Sequence, residues 1–167
     1  DRILKLMGRR TNSEQIRSLI SKIRAEIPDA AIRTSTIVGF PGETQEEFEE
    51  LCEFVKEIRF ERMGVFAYSR EEDTPAYDFD NQIDEDEKMR RRDLLMLIQS
   101  DIAQEQNSAK IGTKIRVLTE DKDEIIKSYF GRTYADSEEV DGKVFFKSDR
   151  VIQSGEFVEV EVEQAME

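Results

Sequence analysis

The chain has 167 residues, 38% of them apolar and another 38% charged, with a formal charge of −13 at pH 7. That length supports one domain or two small ones around a real core, and no apolar run approaches the roughly 18 residues of a membrane span. Histidine is absent and Cys52 is the single cysteine, which excludes histidine-based catalysis, the usual zinc sites and an intramolecular disulfide framework, and suits a reducing, cytoplasmic setting.

Residues Arg2 to Arg10 carry Ile3, Leu4 and Met7 at helical spacing, ended by Gly8-Arg9-Arg10. Thr11-Asn-Ser-Glu14 has the form of a capping box, and Ile16, Leu19, Ile20, Ile23 and Ile27 follow as an apolar stripe until Pro28-Asp29. A first strand is expected from about Ala31 to Val38. Phe40-Pro-Gly-Glu43 then turns the chain, and Thr44-Gln-Glu-Glu47 supplies a second capping box. The helix behind it buries Phe48, Leu51, Cys52, Val55 and Ile58. Cys52 is read as a small core residue rather than a reactive thiol. A second strand from Arg62 to Ser69 completes a βαβ pattern, which requires a parallel sheet.

A polar loop, Arg70 to Pro75, precedes an acidic start at Asp84 to Glu87 and a long helix. Its inner side is expected to carry Met89, Leu94, Leu95, Leu97, Ile98 and Ile102. Beyond Gly112 come short alternating stretches: Ile115 to Leu118, Ile125 to Phe130, Val144 to Phe146 and Phe157 to Val162. Gly131, Asp141-Gly142 and Ser154-Gly155 punctuate them. The expected class is therefore α/β plus β: part of a (β/α) barrel over residues 1–106, then a small antiparallel β-barrel over 107–167. Two strands do not close a (β/α) barrel, and the chain begins inside a helix. The first part is thus expected to be the end of a larger α/β domain whose sheet edge needs cover.

Strand alternation puts Arg33, Ser35 and Ile37 on one face and Ile32, Thr34, Thr36 and Val38 on the other. Arg33 and Ser35 are the more polar set and are assigned to the cavity. Arg33 there either grips a carboxylate with two parallel hydrogen bonds or pairs with a neighbouring strand. Gly39 and Gly42 allow close backbone approach, and the helix that begins near Thr44 offers free N–H groups to a polar ligand. The same residues also describe an ordinary tight βα turn. Phe66 and Tyr68 are expected to share a face of the next strand, either as packing or as flanks for a planar base.

Arg33-Thr-Ser-Thr-Ile-Val-Gly-Phe-Pro-Gly-Glu-Thr44, with Phe66-Ala-Tyr-Ser69 and Thr74-Pro-Ala76, resembles the later part of the radical S-adenosylmethionine domain of the methylthiotransferases. Leu6-Met-Gly-Arg-Arg10 matches the segment before it. Gly131-Arg-Thr-Tyr134 and Val140-Asp-Gly142 resemble a TRAM domain, an OB-like barrel. Phe66 to Glu72 and the barrel motifs look like the RimO type, whose reaction adds a methylthio group to an aspartate of ribosomal protein S-twelve. The alternatives are a tRNA-adenosine methylthiotransferase or a non-catalytic acidic module that docks a basic protein.

The resemblance implies S-adenosylmethionine and 4Fe-4S clusters as cofactors. It sets Ile37, Val38, Gly39 and Phe40, and Phe66 to Ser69 with Tyr68, beside the adenine, and Arg33 toward the cofactor's polar end; Ser35, on the Arg33 face of the strand, joins the cofactor-binding set. The cluster thiolates are not in this chain, so the piece alone is expected to be inactive. Asp73 stands where the family usually has glycine, a position suited to positive φ, and Ser137-Glu138 replaces Ala-Pro. Residues 112–167 hold 14 acids and 8 bases, net −6. That charge favours a basic protein partner over nucleic acid, which would need a local basic strip to overcome the field.

Overall fold

A computed structural model describes residues 1–165, and its chain divides into two compact units, Asp1–Ala103 and Gln104–Glu167. The first unit runs α1 (Arg2–Leu6), α2 (Ser13–Glu26), β1 (Arg33–Val38), α3 (Gln45–Ile58), β2 (Arg62–Ala67) and a 3-10 turn at Pro75–Asp78. It then enters α4 (Glu85–Ser108). The two strands pair in parallel, with Ser35 opposite Gly64 and Ile37 opposite Phe66. No helix is long and apolar enough to cross a membrane among the described residues.

Both helix starts expected after a cap are present, but the first is shifted by one residue. Asn12, not Thr11, caps α2: its side chain accepts from Gln15 N at 2.8 Å, while Gln15 Oε1 accepts from Asn12 N at 3.0 Å. Either register satisfies the cap pattern; the observed one brings Ser13 N onto the Asp1 carboxylate at 2.7 Å. The second box is where the sequence places it, Thr44 with Glu47. At its far end α3 stops on Arg59 in a left-handed conformation, φ 56°. Arg24 from α2 reaches the freed carbonyls of Ile58 and Arg59 at 2.5 and 2.9 Å.

The core of this unit lies between one face of the sheet and the helices. Phe48, Cys52, Val55 and Ile58 of α3 meet Val38, Met63 and Val65, with Leu95, Ile102 and Ile20 closing the cluster. Burial pushes the Cys52 thiol up from its ordinary pKa, in keeping with a packing role. The inner side of α4 differs from the expected stripe. Lys88, Arg91, Leu95, Gln99 and Ile102 are buried, whereas Met89, Leu94 and Leu97 are exposed. The observed set follows the helical repeat faithfully; of its three polar members, Arg91 and Gln99 donate to backbone carbonyls, while Lys88 bonds the Glu85 carboxylate. Gln99, for one, donates to the Phe60 carbonyl at 2.9 Å.

The second unit contains β3 (Lys114–Asp123), β4 (Ser128–Arg132), β5 (Val144–Phe146) and β6 (Phe157–Glu161). They form an antiparallel sheet in the order β5-β4-β3-β6, with a register shift between Thr119 and Asp121. No β5–β6 ladder closes it among the described residues. Val117, Phe146 and Ile152 are its buried centre, with Ile115, Tyr129, Val144, Val158 and Val160 around them. β4 starts three residues later than expected, since Ile125 and Ile126 stand exposed in the preceding turn. Gly131 is not a turn residue. It lies inside β4, where a Cβ would sit 2.1 Å from the Leu118 carbonyl oxygen, so the strand pairing itself demands glycine.

Candidate functional site

The tip of β1 and the open face of the two-stranded sheet hold most of the candidate residues. Along β1 exposure alternates as strand geometry dictates: Arg33, Ser35 and Ile37 face outward while Val38 is fully buried. On β2, Phe66 is 57% exposed beside Ile37, which is 45% exposed. The Phe66 ring folds back over Gly64, where a Cβ would lie 3.2 Å from the ring, and Ser35 Oγ borders the same spot. Arg33, Ser35, Ile37 and Phe66 therefore share one continuous open face, polar at the strand starts and apolar toward their ends.

Other expected residues lie elsewhere. Tyr68 does not stand beside Phe66 as an exposed aromatic pair. It is 8% exposed and packs edge-on against Phe40, with ring centroids 5.3 Å apart. β2 ends at Ala67, so alternation no longer governs the next side chain, although Tyr68 N still donates to Val38 O at 2.9 Å. Its hydroxyl is buried with no hydrogen-bond partner among the described residues. Val38, Gly39 and Phe40 are buried at the tip, and Ser69 Oγ donates to Glu71 at 2.6 Å. Asp73 adopts φ 64°, the left-handed conformation its position calls for.

Sequence reasoning missed the polar network under the turn. Gly39, at φ 72°, donates its N–H to Glu43 Oε1 at 2.9 Å, and the same oxygen accepts from Arg91 Nη1 at 2.7 Å. Arg91 Nη1 also reaches the Glu43 carbonyl at 3.1 Å, and Arg91 Nε donates to Glu87 at 2.7 Å. Hydrogen bonds from Arg90 and Arg91 hold the Glu87 carboxyl down at about 2. Lys88 is buried beneath Gly39, its ammonium bonded to Glu85 at 2.6 Å and 5.3 Å from the Tyr68 ring centroid. Arg2 ties the turn from another side through the Gly42 carbonyl and Glu47. The spacing Lys88, Arg91, Leu95, Gln99, Ile102 carried the signal, had the helical repeat been followed regardless of polarity.

As a chemical arrangement, the open face offers a guanidinium, a hydroxyl and an apolar step to one ligand, beside a turn whose backbone is rigidly held. It holds no redox group of its own. Among the described residues no group of three or more carboxylate, thiol or imidazole side chains could hold a metal ion.

A model of the radical SAM superfamily matches residues 1–55, and a model of the TRAM domain matches residues 111–167. The chain is 52% identical over 165 residues to the ribosomal protein uS12 methylthiotransferase RimO of Clostridioides difficile (strain 630), covering 99% of this chain and 37% of that protein. It is 51% identical over 167 residues to the protein of the same name from Lachnoclostridium phytofermentans, covering 100% and 38% respectively. The one from Thermotoga petrophila is 44% identical over 164 residues, 98% of this chain and 37% of that protein. The chain thus spans a little over a third of the length of these relatives. Both domain matches agree with this similarity: the chain carries a radical SAM segment followed by a TRAM domain and is similar along its whole length to RimO-type methylthiotransferases.

Proposed function

We propose that this chain forms the carboxyl-terminal part of an enzyme that adds a methylthio group to an aspartate of ribosomal protein S-twelve (uS12). Residues 1–106 would supply the last part of a radical SAM (β/α) barrel and residues 107–167 an OB-like TRAM barrel. The observation that carries the reading is similarity across both units, from end to end, to relatives named for uS12 methylthiolation.

The open sheet face suits the adenosyl cofactor. Ile37 and Phe66 leave an apolar step large enough for a planar base, and Arg33 lies on the same face for a carboxylate. In this reading Val38, Gly39, Phe40 and Tyr68, buried at the strand tips, together with Ser35 and Ser69, complete the cofactor's surroundings. Bound beside a cluster whose thiolates this chain does not hold, the cofactor would supply the radical chemistry. The residues here bind and orient; alone they turn nothing over. The TRAM unit, net −6 over residues 112–167, would dock basic uS12.

The cofactor half of this reading is tested by equilibrium dialysis of S-adenosylmethionine with the intact, cluster-loaded enzyme that contains this segment. Loss of the aromatic step in Phe66→Ala is expected to weaken binding by roughly tenfold, since stacking on one base is worth ~1–3 kcal/mol. Unchanged affinity in folded Phe66→Ala protein would remove the open face from the site.

A further inference from the structure

We propose that Lys88 and Arg91, close together in the first turns of α4, are positioning residues for the cofactor site: they fix the backbone of the Gly39–Gly42 turn from below. The inference rests on the reading of the open face as that site. Neither side chain reaches the face itself. Lys88 acts through direct packing, for a Cβ on Gly39 would come within 2.5 Å of Lys88 Cγ and 3.1 Å of its Cβ. The lysine stem is therefore the surface on which the left-handed Gly39 rests. Arg91 acts through Glu43, whose Oε1 receives both the guanidinium and the Gly39 N–H, while the guanidinium also takes the Glu43 carbonyl.

Simple fold stabilisation explains this arrangement poorly. Burying a lysine and an Arg–Glu pair costs desolvation that apolar residues of similar volume would avoid, and such pairs are weak sources of stability. Their side chains are nonetheless almost fully enclosed, 3% exposed for Lys88, 7% for Arg91 and 4% for Glu43. What directed hydrogen bonds provide and apolar packing does not is a single backbone orientation, here at the residue where β1 ends and the cofactor-facing turn starts. The pair also sits on the helix face that packs toward the sheet, so its geometry is set by the core and not by solvent.

The test uses two readouts. In this chain, amide hydrogen exchange at Gly39 should accelerate in Lys88→Ala and in Arg91→Lys. In the intact, cluster-loaded enzyme, both variants, at a temperature where circular dichroism shows them folded, should bind S-adenosylmethionine about tenfold more weakly. Lys88→Met, which restores the stem without the charge, should recover most of the affinity that Lys88→Ala loses. Folded Lys88→Ala with wild-type affinity and wild-type Gly39 exchange would overturn the proposal. If wild-type enzyme binds no S-adenosylmethionine while Lys88→Ala still frees the Gly39 amide, the cofactor reading falls and the hold on the turn stands.

Discussion

Gly131 and Gly142 show how one residue type carries two different meanings. At Gly131 any side chain meets the neighbouring strand, with a Cβ 2.1 Å from the Leu118 oxygen and 2.9 Å from Val117 Cγ1. At Gly142 the same atom meets nothing within 4 Å. Gly131→Ala must therefore push β3 from β4 beside the fully buried Val117, an overpacking cost of ~1–3 kcal/mol or more. Gly142→Ala should change stability by less than about 0.5 kcal/mol. Urea unfolding of both variants checks this, and equal midpoints would contradict the packing account. At this scale the sequence was readable where spacing alone decides, as with Thr44 and Glu47 or the alternation of Arg33, Ser35 and Ile37. It was silent where contact across the fold decides: neither Gly131 nor Tyr68 announces that a neighbouring strand or Phe40 will claim its space.

Among the elements, α4 departs most from its sequence pattern. Apolar residues occur all around it, so reading hydrophobicity alone chose Met89, Leu94 and Leu97 for the inside, yet they are exposed. The inward positions Lys88 and Arg91 are polar because α4 braces the turn after β1, and Gln99 is polar because it caps Phe60. The acidic start of α4 has a consequence for pH. Glu87 is held at about 2, below the ordinary 4.5, first by Arg90 and then by Arg91. Between those values the unfolded chain binds the extra proton, so the contribution of Glu87 is complete above about pH 4.5 and fades as pH falls toward 2. Lowering pH from 6 to 2.5 should narrow the stability difference between wild type and Glu87→Gln, read as the gap between urea midpoints. A constant gap would contradict the assignment of that pair.

For the whole molecule, charge is the feature that composition gives directly and the fold refines. The chain carries −13 and its TRAM portion −6, but the sheet does gather Lys122, Lys127, Lys147 and Arg150 around one open groove near Tyr129. Asp149 lines the same groove, Lys122 meets Glu124 at 3.1 Å, and Arg150 is paired with Glu156. Three carboxylates thus offset most of four cations, leaving little to draw a polyanion against the surrounding field. The change of rhythm at Gly112 marks where the strands of the second unit begin, whereas the compact units divide at Ala103 and Gln104, inside α4. The outward set on β1, Arg33, Ser35 and Ile37, followed from strand alternation. Titrating this chain at moderate salt against ribosomal protein uS12, and separately against tRNA, tests the central claim most directly. The account predicts saturable binding to uS12 that weakens with added salt, with tRNA bound far less well; preference for tRNA, or no binding to uS12, would contradict it.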